Sequence, residues 1–418
     1  MKRSAWLFLI VSFFCGHASG QKAATGLVPL IDLKTAEYKG YQGGLYPNGS
    51  NSRPWKHDSL GMVFSREIKP LDVSGNADTL KGKVVLLSIG MSNTTQEFSF
   101  FKQVADTFKS KNPKLILVDG AVGGQTAAIL SDPNRNLNYW NTVDQRLQSA
   151  GVGAKQVQIC WIKEADHNPT QPFPVHANTL MNELAAIAKI LKQRFPNCRI
   201  AYWSSRTYGG YATTALNPEP YAYESGFSVK RLIEKQIVGD TSLTCAGQHP
   251  NAPWLAWGPY LWADGQTPRS DGLTWSPDDF VTTDGTHPST SGRKKVANLL
   301  LDFLKTDLTA RVWFLKTAST EVCSAEIPNI RDGFRLHQNY PNPFNPSTAV
   351  GFILPERAHA KLVVLDARGR EVAVLVDRTL PAGEHETVFS AQHLPSGFYF
   401  FRFRTDVCEQ VKKGLLIR

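Results

Sequence analysis

Lys83-Val84-Val85-Leu86-Leu87-Ser88-Ile89-Gly90-Met91-Ser92-Asn93-Thr94 runs from an apolar stretch straight into a small polar turn. Residues 83–87 read as a buried strand, and residues 95–109 carry the apolar spacing of an amphipathic helix. Open α/β sheets hold their sites beyond the carboxyl ends of such strands. Ser92 therefore stands where a reactive side chain would be displayed, beside a helix N-terminus.

A serine hydroxyl is a poor nucleophile near neutral pH. It needs an imidazole to take its proton and a third group to hold that imidazole in the right tautomer. The distant segment Asp284-Gly285-Thr286-His287-Pro288 supplies both, because Asp284 and His287 lie three apart in a Gly/Pro loop ahead of a helix expected over about 292–305. Three further strands lie between these segments, the last over 199–203, and the first two bear on the site. The one over 115–118 runs into Asp119-Gly120-Ala121-Val122-Gly123-Gly124-Gln125-Thr126, and glycines in that position let the backbone approach a ligand closely. The other, over 156–162, leads into Lys163-Glu164-Ala165-Asp166. His167 and His176 beyond it read as solvated loop residues, and no His/Cys/Asp cluster has metal-site spacing.

The order of these blocks resembles the SGNH (GDSL-type) hydrolase family. The resemblance implies a three-layer α/β/α, flavodoxin-like domain with a parallel sheet, and a serine esterase that uses no cofactor. In that family the serine sits in a Gly-Asp-Ser-like block; here the block reads Gly90-Met91-Ser92, with Met91 in the aspartate's place. The family's glycine donor to the oxyanion hole matches Gly124 best and Gly123 next, alongside the backbone N–H of Ser92. Its asparagine donor has no match, because the third block reads Lys163-Glu164-Ala165-Asp166. Lys163 is the expected substitute as a cationic donor. The alternative is that Glu164 pairs with it and binds a substrate hydroxyl; Lys163 is the preferred donor, since a carboxylate beside a developing oxyanion would repel it unless protonated.

The rest of the chain is organised around that domain. Residues 1–20, with a positive start and a short apolar run, read as a secretory signal peptide, and no later stretch is apolar for long enough to span a bilayer. Residues 21–80 are expected to form an irregular N-terminal extension wrapped on the core, 81–308 the hydrolase domain and 309–334 a linker. A helix over 178–195 should cover one face of the sheet with Leu180, Leu184, Ile187 and Leu191. From residue 335 the text changes to short alternating runs between Pro/Gly turns, which predicts a small all-β, immunoglobulin-like antiparallel sandwich. The stretch Asn339-Tyr340-Pro341-Asn342-Pro343-Phe344-Asn345-Pro346, with Gly397-Phe398-Tyr399-Phe400 after it, resembles the C-terminal sorting domain of type IX secretion substrates. That resemblance implies the type IX secretion machinery as a partner through residues 335–418, and a secreted or cell-surface location.

The net charge is +10, but the basic residues are scattered and form no nucleic-acid-binding run. Once the expected signal peptide with Cys15 is removed, cysteines 160, 198, 245, 323 and 408 form an odd set; Cys160 is expected in the core, and Cys245 with Cys323 is a candidate disulfide. Between Tyr202 and Trp275 lies an aromatic-rich insertion, of which two or three rings, with Trp203 and Tyr208 the leading candidates, are expected to stack on sugar in the cleft. Arg206, Glu224 and Lys230 are candidate contacts for hydroxyls or carboxylates. The expected substrate is a small ester or an ester-bearing carbohydrate, such as an acetylated sugar. A non-catalytic surface carbohydrate-binding or adhesion protein and a lipase or general esterase are the alternatives.

Overall fold

A computed structural model of the protein describes residues 24–316 and 334–418. The expected signal peptide, most of the expected linker and Cys323 of the candidate disulfide lie outside the described residues. Five parallel strands build the central sheet: β1 (Val84–Gly90), β2 (Leu115–Asp119), β3 (Val157–Lys163), β4 (Ile200–Trp203) and β5 (Trp254–Trp257). Their order is β2-β1-β3-β4-β5, which is the flavodoxin-like order. Every residue of β1, β3, β4 and β5 is buried, as expected of strands covered on both faces. The strand order reverses between β1 and β3, so the turns that follow these two strands, at Met91 and Glu164, flank the crevice where such sheets bind ligands.

The main helices are α1 (Trp55–Glu67), α2 (Ser92–Thr107), α3 (Leu137–Ser149), α4 (Val175–Arg194), α5 (Tyr221–Ile237), α6 (Thr290–Thr306) and α7 (Leu308–Phe314). Helices α2, α6, α7 and α1 pack in succession, and α4 packs on α5. Leu180, Leu184, Ile187 and Leu191 of α4 are buried as their spacing predicts.

Two segments are more regular than expected. The N-terminal extension contains α1, whose buried face mixes Trp55, Met62 and Phe64 with His57, Ser59, Gly61 and Ser65. Small residues are there because the helix lies close to β5: a Cβ on Gly61 would stand 2.3 Å from the Trp254 indole. A face built this way leaves no apolar stripe in the sequence. The expected linker begins with α7, which buries Ala310, Trp313 and Phe314 against the core.

The C-terminal unit is an antiparallel sandwich. It comprises β6 (Arg335–Leu336), β7 (Ser347–Leu354), β8 (Ala358–Leu365), β9 (Glu371–Leu380), β10 (Gly383–Ser390), β11 (Gly397–Arg404) and β12 (Glu409–Leu416). The two sheets run β9-β8-β11-β12 and β10-β7-β6. Phe352, Leu362, Val364, Phe401 and Phe403 fill the space between them. Asn339 of the proline-rich stretch is buried, and its amide donates to Thr348 Oγ1 at 3.0 Å and to the Pro341 carbonyl at 3.1 Å. That residue holds the proline loop on the sandwich, which accounts for an asparagine in the motif.

Buried His57 couples α1 to the sheet by donating from Nε2 to the Leu255 carbonyl at 2.7 Å and stacking on Trp254. Burial lowers its pKa to about 4. An unfolded chain takes up this proton near ~6.5, so between those values the unfolded state binds more protons and stability rises with pH. Acidification from pH 7 to about 4.5 is expected to lower the unfolding free energy by on the order of 2 kcal/mol through this group. Urea unfolding at the two pH values, repeated with His57→Gln, should show a shallower pH dependence in the variant.

Candidate functional site

Gly90 ends β1 where no side chain fits. A Cβ there would stand 2.3 Å from both the Lys163 carbonyl oxygen and Thr94 Oγ1, and Gly90 has a φ of +156°. Thr94 Oγ1 in turn donates to the Lys163 carbonyl at 2.6 Å, which binds the first turn of α2 to the end of β3. Ser92 is the first residue of α2, after Met91 in an extended conformation. The helix thus starts earlier than the expected 95, and the serine N–H belongs to a helix N-terminus, whose first amides lack intrahelical acceptors.

The glycine loop after β2 is drawn over this turn. The Val122 N–H donates to the Gly90 carbonyl at 2.9 Å, and a Cβ on Gly123 would lie 3.6 Å from the Ser92 Cβ. Gly124 adopts φ +74° and lines the cavity at Ser92. Asp119 organises the loop from below: it accepts from Ser88 Oγ at 2.7 Å, from the Thr95 hydroxyl and from the Ala121 N–H at 3.1 Å. Arg146 then binds the Asp119 and Ala121 carbonyls at 2.9 and 2.6 Å.

The Asp284–His287 loop completes the constellation. Ser92 Oγ lies 2.7 Å from His287 Nε2, and His287 Nδ1 lies 2.6 Å from Asp284 Oδ2. The other carboxylate oxygen, Oδ1, accepts the Thr286 and His287 backbone N–H groups at 2.7 and 2.8 Å. Partial burial acts to raise the Asp284 pKa, but these hydrogen bonds outweigh it and hold the carboxyl below its ordinary value. Gly285 has φ +62°, and a Cβ there would meet the Tyr211 carbonyl at 1.8 Å, so the loop admits only glycine at this position. Asn93 Nδ2 donates to the Thr286 carbonyl at 2.8 Å, tying the serine turn directly to the histidine loop.

The cavity at Ser92 has a volume of about 60 Å³. It opens beside a polar groove of about 290 Å³, which shares Thr126, Asp166, His167 and Asn217 with it and extends to Arg135, Gln171 and Tyr221. A larger open hollow of about 790 Å³ around Lys192, Arg199 and His249 contains none of the Ser92, His287 and Asp284 cluster. Ser92 and His287 line the smaller cavity instead.

The remaining expected site residues divide sharply. Arg206 lines the cavity while only 3 % exposed, and its Nη1 has no hydrogen-bond partner among the described residues. Lys163 does not reach the cavity wall. Its strand is buried on both faces, so its ammonium is matched by Glu97 of α2, with Nζ 2.5 and 2.6 Å from the two carboxylate oxygens. The cationic-donor role expected of Lys163 is corrected accordingly. Burial lowers its pKa to about 8 despite Glu97. Glu164 is also buried and off the cavity wall; its Oε1 accepts the Ala165 N–H at 2.9 Å, Oε2 has no partner among the described residues, and burial holds its pKa well above the ordinary value.

The aromatic expectation is also corrected. Trp203 is buried within β4, and Tyr208 packs in a ring cluster with Tyr211 and Trp262, at 4.9 and 6.2 Å between centroids. Large rings in a two-face-covered sheet are consumed by the core, and of the insertion only Tyr221 reaches the groove. Glu224 and Lys230 are structural as well. Glu224 holds Tyr38, Lys39 and His176 at 2.6, 3.0 and 2.5 Å, and Lys230 caps the Gln42 and Gly43 carbonyls at 2.8 and 2.6 Å. His176 is therefore a buried helical residue rather than a solvated loop residue; His167 is exposed on the loop and lines the cavity. Asn217 and Leu216 were missed in the sequence. They arrive on a loop held to the Asp166 carbonyl through Asn217 Nδ2 at 3.2 Å, a long-range contact that no short motif announces.

Comparison with known proteins bears on the C-terminal unit. Residues 338–417 match the family described as the secretion system C-terminal sorting domain. No curated protein matches the chain. Among solved structures, PorZ, a surface component of the type IX secretion system of Porphyromonas gingivalis, aligns at 19% identity over 21% of this chain and 12% of that one, with a TM-score of 0.16. An immunoglobulin-like β-sandwich protein from Bacteroides vulgatus aligns at 13% identity over 20% of this chain and 95% of that one, with a TM-score of 0.14. A Cellulomonas fimi endo-β-1,4-mannanase aligns at 11% identity over 93% of this chain and 72% of that one, with a TM-score of 0.23. These likenesses are too low to bear on what the α/β domain does. Among the described residues, no helix is long and apolar enough to cross a membrane. The matched region makes the C-terminal sandwich a type IX secretion sorting domain, which implies interaction with that secretion machinery and a secreted or cell-surface protein.

Proposed function

We propose that this protein is a secreted serine esterase of the SGNH type that removes short acyl groups, acetyl foremost, from carbohydrate. The observation that carries this reading is the continuous chain from Asp284 through His287 to Ser92, at 2.6 and 2.7 Å. His287 Nε2 takes the Ser92 proton as Ser92 Oγ attacks the ester carbonyl. Asp284 holds the Nδ1–H tautomer and stabilises the imidazolium that forms. The developing oxyanion faces the backbone N–H of Ser92, aided by the positive end of α2, and the N–H of Gly124. His287 returns the proton to the leaving sugar hydroxyl, and water repeats the sequence to release the acid.

The small volume beside Ser92 supports a short acyl group and disfavours the lipase alternative, which needs an extended apolar cleft. The groove beyond it carries Arg135, Asp166, Gln171 and Asn217, which suit a hydroxyl-bearing leaving group. The non-catalytic sugar-binding alternative rests on Met91 and the missing asparagine donor, and the aligned Asp284, His287 and Ser92 weigh against it. Ser92→Ala should abolish hydrolysis of p-nitrophenyl acetate and of acetylated polysaccharide; turnover that persisted in this variant would refute the serine mechanism. Asp284→Asn should lower kcat by about a hundred- to ten-thousandfold by releasing the wrong tautomer, with KM little changed.

Activity should fall as the pH is lowered, because protonated His287 cannot accept the Ser92 proton, while Asp284 stays ionised to lower pH than an ordinary aspartate. A pH–rate profile that is level from neutral into acid would exclude His287 as the base. Gly285→Ala should cost most of the activity together with several degrees of melting temperature, since the added methyl displaces the loop from Tyr211.

A further inference from the structure

The open hollow of about 790 Å³ lies at the end of the sheet away from Ser92. Ser92 follows the carboxyl end of β1, whereas Arg199 and Asn251 of the hollow's wall stand just ahead of β4 and β5. All five strands run the same way, so these are opposite ends of one sheet. Three segments form the wall: the last turns of α4, the turn into β4, and the loop that leads to β5.

This wall is basic and unneutralised. Lys189, Lys192 and Arg199 line it, and no aspartate or glutamate does so among the described residues. Lys192 Nζ donates to the Pro196 and Cys198 carbonyls at 2.9 and 3.1 Å, neutral acceptors that orient the ammonium without cancelling its charge. Lys189 lies three residues earlier on the same face of α4 and makes no hydrogen bond or ion pair among the described residues. Arg199 meets Glu67 at 2.9 Å at the end of α1, but both groups are exposed, and a pair of that kind is weak. Burial foremost, and the Arg199 guanidinium after it, act to lower the Lys192 pKa, so the two cations are near enough to repel. An anion between them relieves that repulsion. Gln193, Ser242, Gln248 and Asn251 complete the wall, are exposed, and supply donors and acceptors for hydroxyls.

We infer that this hollow is a second carbohydrate site, apart from the serine, that holds a segment of an acidic polysaccharide. Carboxylates of the chain meet Lys189, Lys192 and Arg199, and its hydroxyls meet the amides around them. The volume is in the range that takes a ligand well beyond one small anion, and the chain's net charge of +10 favours a polyanion. The site stands whether or not Ser92 acts on esters.

The test is calorimetric binding of an oligogalacturonate to the full chain, beside a neutral oligogalactose of the same length. The acidic oligomer should bind about tenfold or more tightly than the neutral one, since each exposed charge contributes a few-fold, and the difference should shrink as salt is raised. Lys189→Gln combined with Arg199→Gln should weaken the acidic oligomer by roughly tenfold. Lys109→Gln combined with Lys294→Gln removes as much charge from exposed positions outside the hollow and should change little. Equal binding of the two oligomers, or equal weakening by the two pairs of substitutions, overturns the site. Inorganic phosphate that displaces the oligomer as effectively as galacturonate oligomer itself would also overturn it, leaving a small-anion site only. Hydrolysis of p-nitrophenyl acetate should be the same in the parent and both variants, because the serine lies at the other end of the sheet. A parent inert on esters that still binds oligogalacturonate through Lys189 and Arg199 would refute the esterase and keep this site, and an active parent without that binding would do the reverse.

Discussion

The close approach of β1 to β3 at Gly90 is the constraint on which the site depends. With no Cβ at that position, the Lys163 carbonyl and the Thr94 hydroxyl come close enough to bond, and α2 starts at once after the strand. Ser92 is thereby held at the helix N-terminus, and the same contact brings the ends of the two central strands together. The glycine loop after β2 closes on this junction through Val122 and the Gly90 carbonyl, and Asn93 fastens it to the histidine loop. Three chain segments far apart in sequence meet at one backbone contact, and the hydroxyl, imidazole and carboxylate fall into line because their loops have little freedom left.

Charge beneath this junction is arranged with similar economy. Lys163 and Glu97 are both wholly buried, and either one alone would cost about 3–5 kcal/mol as an unpaired ion. Their pairing fixes α2 against β3 and keeps the Lys163 ammonium off the wall of the cavity at Ser92. Glu224 performs a related service elsewhere, collecting Tyr38, Lys39 and His176 so that the N-terminal extension and α4 are clamped on α5. These polar residues resemble site residues in the sequence, yet their bonds are made within the fold. Arg206 differs: it lines the cavity, and its buried Nη1 has no hydrogen-bond partner among the described residues.

Four of the five parallel strands, the helix α4, the sandwich and the sequence of blocks carrying Ser92, Gly124, Asp284 and His287 were legible from the chain, whereas β5 lay unread within the aromatic-rich insertion. Each is written locally: continuous apolar runs mark strands covered on both faces, a heptad-like spacing marks α4, and a three-residue separation in a Gly-bearing loop marks Asp284 and His287. Helix α1 escaped because its buried face is part small and part polar, and α7 because its burial depends on neighbours distant in sequence. The aromatic residues misled for a related reason. A tryptophan has the same composition whether it stacks on sugar or fills the space behind a sheet, and Trp203 lies behind the sheet.

The sequence by itself determined the sheet-forming runs, the position of the serine after a strand and the proline-rich sorting motif, because propensity, burial pattern and turn chemistry are properties of neighbouring residues. Which charged groups are free was decided only by the tertiary structure. Lys163 and Arg206 are both cations just past or at the end of buried strands, and nothing in their flanking residues distinguishes them. The distinction comes from Glu97, sixty-odd residues from one and over a hundred from the other in sequence, which gives both carboxylate oxygens to Lys163, while Arg206 Nη1 has no hydrogen-bond partner among the described residues. Partnering of buried ions is a long-range property, set by where α2 lies against the sheet, and so it belongs to the folded protein.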